Sequence, residues 1–135
     1  MTEGLADLEL LSRMALDRDL ARLKVLAETV RERRSDVEKL TRAKAESSGA
    51  MAGLDPVEAF AGPVARDHLW RDWLRGEHLR RQSELARAMA DLEAQRMVAR
   101  VAFGRAETLR QLREADLLER RQAALRRGRN SAGIG

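Results

Sequence analysis

The sequence predicts an all-α protein: an elongated antiparallel two-helix coiled-coil hairpin with a short helix in the connecting segment. Three observations carry that prediction. Ala, Glu, Lys, Leu and Arg make up 81 of the 135 residues, about 60%, above the roughly 50% typical of long helices and coiled coils. Val, Ile and Thr together number 12, too few to furnish a sheet of β-branched strands. Apolar residues recur at heptad spacing on both sides of a single region rich in helix breakers. The length suits one domain, residues 1–135, with one modest core.

The first helix is expected over about residues 4–47, a stretch free of Pro and with no Gly after Gly4. Leu16, Leu23, Val30 and Val37 recur every seven residues, and Leu5, Leu26 and Leu40 fall on the adjoining d-type positions. Ser47-Ser48-Gly49 supplies a stop, with Gly49 suited to a left-handed C-cap. In the connector, residues 48–62, Asp55-Pro56 reads as an N-cap followed by a first helical turn, predicting a short helix over 56–61. Pro63 opens the second long helix, where its missing N–H costs nothing. That helix is expected to run to about residue 127, leaving a frayed tail over 128–135. Its stripe is Trp70, Leu74, Leu85, Ala88, Leu92, Ala99, Phe103, Ala106, Leu117 and Ala124. Neither stripe is buried alone, and isolated helices owe little stability to propensity, so the two are expected to pack on each other.

A turn within 49–62 sets facing residue numbers to sum to roughly 111. Leu26 then faces Leu85, and Leu23 faces Ala88. The polar breaks in the seam meet opposite charge, Arg33 near Glu77 and Asp19 within a turn of Arg96. In this register the first helix ends opposite about residue 107. Residues 108–127 would then project about 30 Å, with Leu109, Leu112, Leu117, Leu118 and Leu125 lacking an internal partner. An apolar stripe without a partner reads as an interface.

Catalysis finds no support. His68 and His78 stand ten residues apart, near neither a shared metal nor a shared base, and read as solvated. There is no HExxH, no nucleophile elbow and no cysteine, so no metal, cofactor or disulfide is expected. Gly128-Arg-Asn-Ser-Ala-Gly133 follows a helix and lacks the Lys-Ser/Thr pair of a phosphate loop. A two-helix hairpin is also expected to lack a concave pocket. No apolar run approaches the roughly 18 residues of a membrane span, and the N-terminal residues lack the pattern of a secretion signal.

The four aromatics divide. Trp70 and Phe103 sit on the predicted stripe and read as core. Trp73 lies about 60° off it, leaving either partner contact or packing on the Phe60 segment open. Gly104, beside Phe103, would admit a close neighbour or is simply tolerated. The charge is concentrated: the chain before residue 120 sums to −1, and the five arginines after it bring the total to +4. Arg120, Arg121, Arg126, Arg127 and Arg129 follow the last acid, Glu119. With no aromatic among them they favour an acidic protein surface or a simple solvated terminus over nucleic acid.

The layout resembles the FliJ family of flagellar type III export and its YscO-type virulence counterparts. The resemblance lies in Leu69-Trp70-Arg71-Asp72-Trp73-Leu74 through Leu79-Arg80-Arg81-Gln82-Ser83-Glu84-Leu85, then Glu93-Ala94-Gln95-Arg96 and Leu109-Arg110-Gln111-Leu112. Glu77 departs from the family, which has an aliphatic there. The resemblance implies a non-catalytic, stalk-like partner of a hexameric export ATPase ring that also links to the membrane export gate and to export chaperones. By that likeness Trp70, Trp73 and Leu74 would face the gate. The end carrying Leu109, Leu112, Leu117, Leu118, Arg120, Arg121, Arg126 and Arg127 would enter the ring. The implied location is cytoplasmic, peripheral at the inner face of the membrane, as a monomer or weak homodimer. A generic coiled-coil adaptor that self-associates into a helical bundle is the alternative, and a nucleic-acid-binding helical protein comes third.

Overall fold

A computed structural model describes residues 2–51 and 63–133. Two helices account for all of them: α1, Thr2–Met51, and α2, Pro63–Gly133. The short helix expected over 56–61 lies outside the described residues, as does Phe60. Two compact units divide the chain, Met1–Leu23 with Gln95–Gly135, and Lys24–Ala94. Each contains a part of α1 packed antiparallel on a part of α2.

Both helices outrun their predicted ends. No described glycine takes a positive φ, so Gly49 and Gly128 terminate nothing and the expected tail is helical through Gly133. The reason is local. A glycine ends a helix when the following residue can fold back onto an apolar contact in the last turn. After Gly128 stand Arg129, Asn130 and Ser131, which gain nothing by leaving the helix.

In the unit of residues 24–94 the seam buries Val30 from α1 and Leu74, Ala88 and Leu92 from α2. Leu26, Val37, Leu40 and Leu85 are half-buried beside them, as the heptad reading of α1 predicts. An ion network crosses this seam. Arg33 lies 3.8 Å from Glu84 and 3.9 Å from Asp36, while Arg81 lies 3.6 Å from Asp36 and 3.4 Å from Glu84. Glu77 pairs within α2, with Arg80 at 2.8 Å and Arg81 at 3.8 Å. The Thr41 hydroxyl and His78 Nε2 meet at 3.3 Å.

The predicted pairing of Arg33 with Glu77 is therefore corrected to Glu84, seven residues further along α2. A displacement of seven is one heptad, which keeps the same side chains on the seam. Apolar periodicity cannot distinguish alignments that differ by that step. The charges can, and Arg33 between two carboxylates is the arrangement adopted. These groups are a third or so exposed, so each pair contributes about 0.2–1 kcal/mol at most. Their stronger effect is on alignment.

In the unit of residues 1–23 and 95–135 the buried α2 residues are Gln95, Ala99, Ala102 and Ala106, at alternating spacings of four, three and four. Facing them, α1 buries Glu9 and Asp19. Gln95 Nε2 donates to the Asp19 carbonyl at 3.0 Å, and the Asp19 carboxylate lies 3.5 Å from Arg18 Nε. Asp19 thus meets the neighbour of Arg96 across the seam. Arg113 Nη1 donates to Glu9 Oε2 at 2.7 Å. Pairing consequently reaches residue 113, and the unpartnered segment expected from residue 108 is corrected. Leu109 is half-buried; Leu112, Leu117, Leu118 and Leu125 remain 45–66% exposed.

The α2 stripe is corrected as well. Leu74, Ala88, Leu92, Ala99 and Ala106 are buried as predicted, but Trp70, Phe103 and Leu117 are 48%, 60% and 45% exposed and Ala124 is exposed. Phe103 and Ala102 both lie at helical spacing from Ala99 and Ala106, and the smaller residue takes the seam. Alanines there let the helices approach closely, and a ring cannot enter that gap.

Candidate functional site

Two surfaces stand out, one in each unit, and each is built from side chains that the thin seam cannot enclose.

The first is the aromatic segment of α2 in the unit of residues 24–94. Trp70 and Trp73 are one helical turn apart, so their side chains emerge on neighbouring positions of one face. Their rings stack, with centroids 5.2 Å apart and planes inclined by 15°. Both remain about half exposed, at 48% and 53%. Stacking shields one face of each ring and leaves a continuous aromatic surface toward solvent. Leu69, one turn before Trp73 and 70% exposed, adds apolar surface beside the rings. Leu74 does not join this surface. It is 1% exposed, the largest fully buried side chain described, because it falls on the seam heptad. Its assignment as a contact residue is corrected to that of a seam residue.

The second is the surface of the other unit, where α1 leaves Leu8, Leu10, Leu11 and Met14 45–60% exposed, and α2 leaves Met97, Val98, Val101 and Phe103 in the same range. Shallow hollows run along the seam here, the larger two about 420 and 700 Å³. The expectation that a two-helix hairpin lacks a concave pocket is corrected to this extent. The hollows form because Ala15, Ala102 and Gly104 leave gaps beside larger aliphatics. A Cβ added at Gly104 would meet nothing within 4 Å, so no neighbour within the described chain requires glycine there.

The sequence-predicted C-terminal residues lie on the same unit. Leu112, Leu117 and Leu118 are exposed, and Leu109 lines the larger hollow with Leu8 and Leu11. Arg120 pairs with Asp116 at 3.5 Å. Arg126 Nε donates to the Gln122 carbonyl at 3.4 Å. Arg121, Arg126 and Arg127 are solvent-exposed, and no Asp or Glu follows Glu119 in the sequence.

Between these features the α2 surface is laced by one strong local network. Arg110 donates to both Glu107 oxygens, at 2.6 and 3.1 Å, and to Glu114 Oε1 at 2.6 Å. Hydrogen bonding from Arg110 holds the Glu107 carboxyl below its ordinary value, and Glu107 in turn raises Arg110. A carboxyl lowered on folding stabilises the helix above its ordinary pKa and loses that contribution as pH falls through the lowered value. In a carbon-13 titration Glu107 is expected to titrate below about 4.3, the ordinary Glu value, and Arg110→Gln to return it there. An unshifted midpoint in the parent chain would refute the pairing in solution.

Among the described residues no group of three or more His, Cys, Asp or Glu side chains is placed to hold a metal ion. His68 is exposed and His78 is half-buried against Thr41. No helix of the described residues is long and apolar enough to cross a membrane. No family model, characterised protein or solved structure matches the chain. The fold and its surfaces define an all-α helical hairpin whose exposed features are apolar, aromatic and cationic.

Proposed function

We propose that this chain is a non-catalytic coiled-coil component of a flagellar or virulence-type protein export apparatus, docking on the export ATPase and on the export gate. The observation that carries the reading is the Trp70–Trp73 stack, held half exposed beside buried Leu74. Large aromatic rings left on a helix surface are typical of binding hot spots. This stack occupies the segment whose residues resemble the gate-facing stretch of the FliJ family. The exposed leucines and arginines of 112–127 support a separate ATPase-ring contact. On this reading the protein works at the cytoplasmic face of the membrane through its partners.

The test is reconstitution with the purified export ATPase and the cytoplasmic domain of the export gate. The chain is expected to bind both. Trp73→Ala should weaken gate binding by about 30-fold, the loss of roughly 2 kcal/mol at a hot spot, with ATPase binding and helicity unchanged. Failure to bind either component sinks the export reading. A stable four-helix dimer by light scattering, with no partner bound, would favour a self-associating adaptor.

A further inference from the structure

We infer that the seam hollows of the unit formed by residues 1–23 and 95–135 are a docking groove for an amphipathic helix whose apolar stripe is flanked by carboxylates. The inference goes beyond the export reading and does not rest on it.

The two hollows adjoin and share Ser12, Ala15, Val101 and Arg105. Their floor is made of small residues, Ser12, Ala15 and Gly104. The walls are aliphatic: Leu8, Leu11, Met97 and Val101, each 52–60% exposed. A small-residue floor between aliphatic walls accepts leucine-sized side chains, which is the helix-in-groove mode of recognition. From Leu8 to Arg18 the groove follows α1 for about 15 Å, close to three helical turns. A guest helix would present anchors at i, i+3 or i+4, and i+7 along that length.

Charge selects the guest. The cations at the groove are Arg18 and Arg105. Arg105 is exposed and makes no ion pair among the described residues. Arg18, with its side chain 78% exposed, reaches only Asp19, and Asp19 is buried. No other acid lines either hollow. The groove is thus apolar at its centre and cationic at its edge, complementary to a helix with Glu or Asp beside its leucines. A second copy of this chain is a poorer guest. A two-fold pairing would bring the same surface to itself, setting Arg18 and Arg105 against the same two cations.

The probe is a fluorescein-labelled peptide of about three heptads with Leu at a, d and e and Glu or Gln elsewhere, read by fluorescence anisotropy on the full chain. A control peptide keeps the leucines and replaces each Glu by Lys. The Glu peptide is expected to bind, and the Lys peptide at least tenfold more weakly, about 1.4 kcal/mol. Gly104→Leu, which fills the floor where an added Cβ meets nothing within 4 Å, should abolish binding of the Glu peptide. Arg105→Glu should weaken it about tenfold, about 1.4 kcal/mol. Circular dichroism should show both variants as helical as the parent. Equal binding of the two peptides, or no binding of either, overturns the proposal. So does binding that survives both substitutions, a chain dimer that Gly104→Leu dissolves, or a preference for anionic lipid vesicles unaffected by Gly104→Leu.

Discussion

Leu74→Ala should lower the stability of the unit formed by residues 24–94 by about 2–5 kcal/mol. The seam there is two helices thick, and small or half-exposed residues make up most of it. Among the described residues Leu74 is the one large side chain fully removed from water, at 1% exposure. Truncating it loses the transfer free energy of the removed atoms and leaves a void that the surrounding structure closes only in part. In thermal melts followed by far-ultraviolet circular dichroism, the midpoint should fall by at least about 8 °C. Leu79→Ala, at a position 62% exposed, should change stability by no more than about 0.5 kcal/mol. Equal effects of the two substitutions would show that Leu74 is not the keystone of this seam.

In the other unit Arg113→Ala should be destabilising while Glu9→Leu is neutral or stabilising. Glu9 is 7% exposed, and Arg113 donates to it at 2.7 Å from a side chain that is itself 46% exposed. Removing the arginine strands a buried carboxylate. The cost of breaking a fully buried pair, about 3–5 kcal/mol, falls here to about 2 kcal/mol because one partner lies near water. Removing the glutamate instead leaves an arginine that turns out into solvent and puts an apolar side chain on the seam. Urea denaturation of both variants separates these outcomes. A symmetric loss would mean that the pair is solvated and contributes little to the seam. The same experiment checks the alignment, because Glu9 and Arg113 meet only if pairing continues beyond residue 108.

Much of the fold is legible in the residues. Leu16, Leu23, Val30 and Val37 mark the seam of α1 unaided, and Asp19 and Arg33 stand at the seam positions that the heptad assigns them. What the pattern cannot supply is the choice among equivalent alignments. Shifting by seven residues keeps the same face of each helix on the seam, so Arg33 opposite Glu77 and Arg33 opposite Glu84 look alike until the carboxylate of Asp36 is counted. The exposure of Trp70 and Phe103 escapes the pattern for a related reason. Over one or two turns a spacing of four then three and a spacing of three then four are both helical, so periodicity does not choose between Phe103 and Ala102. Where Ala99, Ala102 and Ala106 bring the helices close, a ring has no room on the seam. The hollow over Ser12, Ala15 and Gly104 gives no motif to find. Its only trace in the sequence is the concentration of small residues beside exposed leucines, methionines and valines.

The sequence by itself determines that the chain is helical, where its breakers fall, and which face of the first helix is buried. These follow from local propensity and from a repeat that any partner helix must respect. It also determines that the excess positive charge lies after residue 119. The tertiary structure alone decides the alignment of the helices in each unit, the withdrawal of Leu74 from the aromatic surface, and the engagement of Arg113 by Glu9. Those outcomes depend on distances between residues far apart in the chain, where helix spacing, side-chain volume and charge must be satisfied together. A seam two helices thick encloses few large side chains, Leu74 and Leu92 among them, beside alanines and matched charges. The rings and aliphatics it excludes are what remain available for binding.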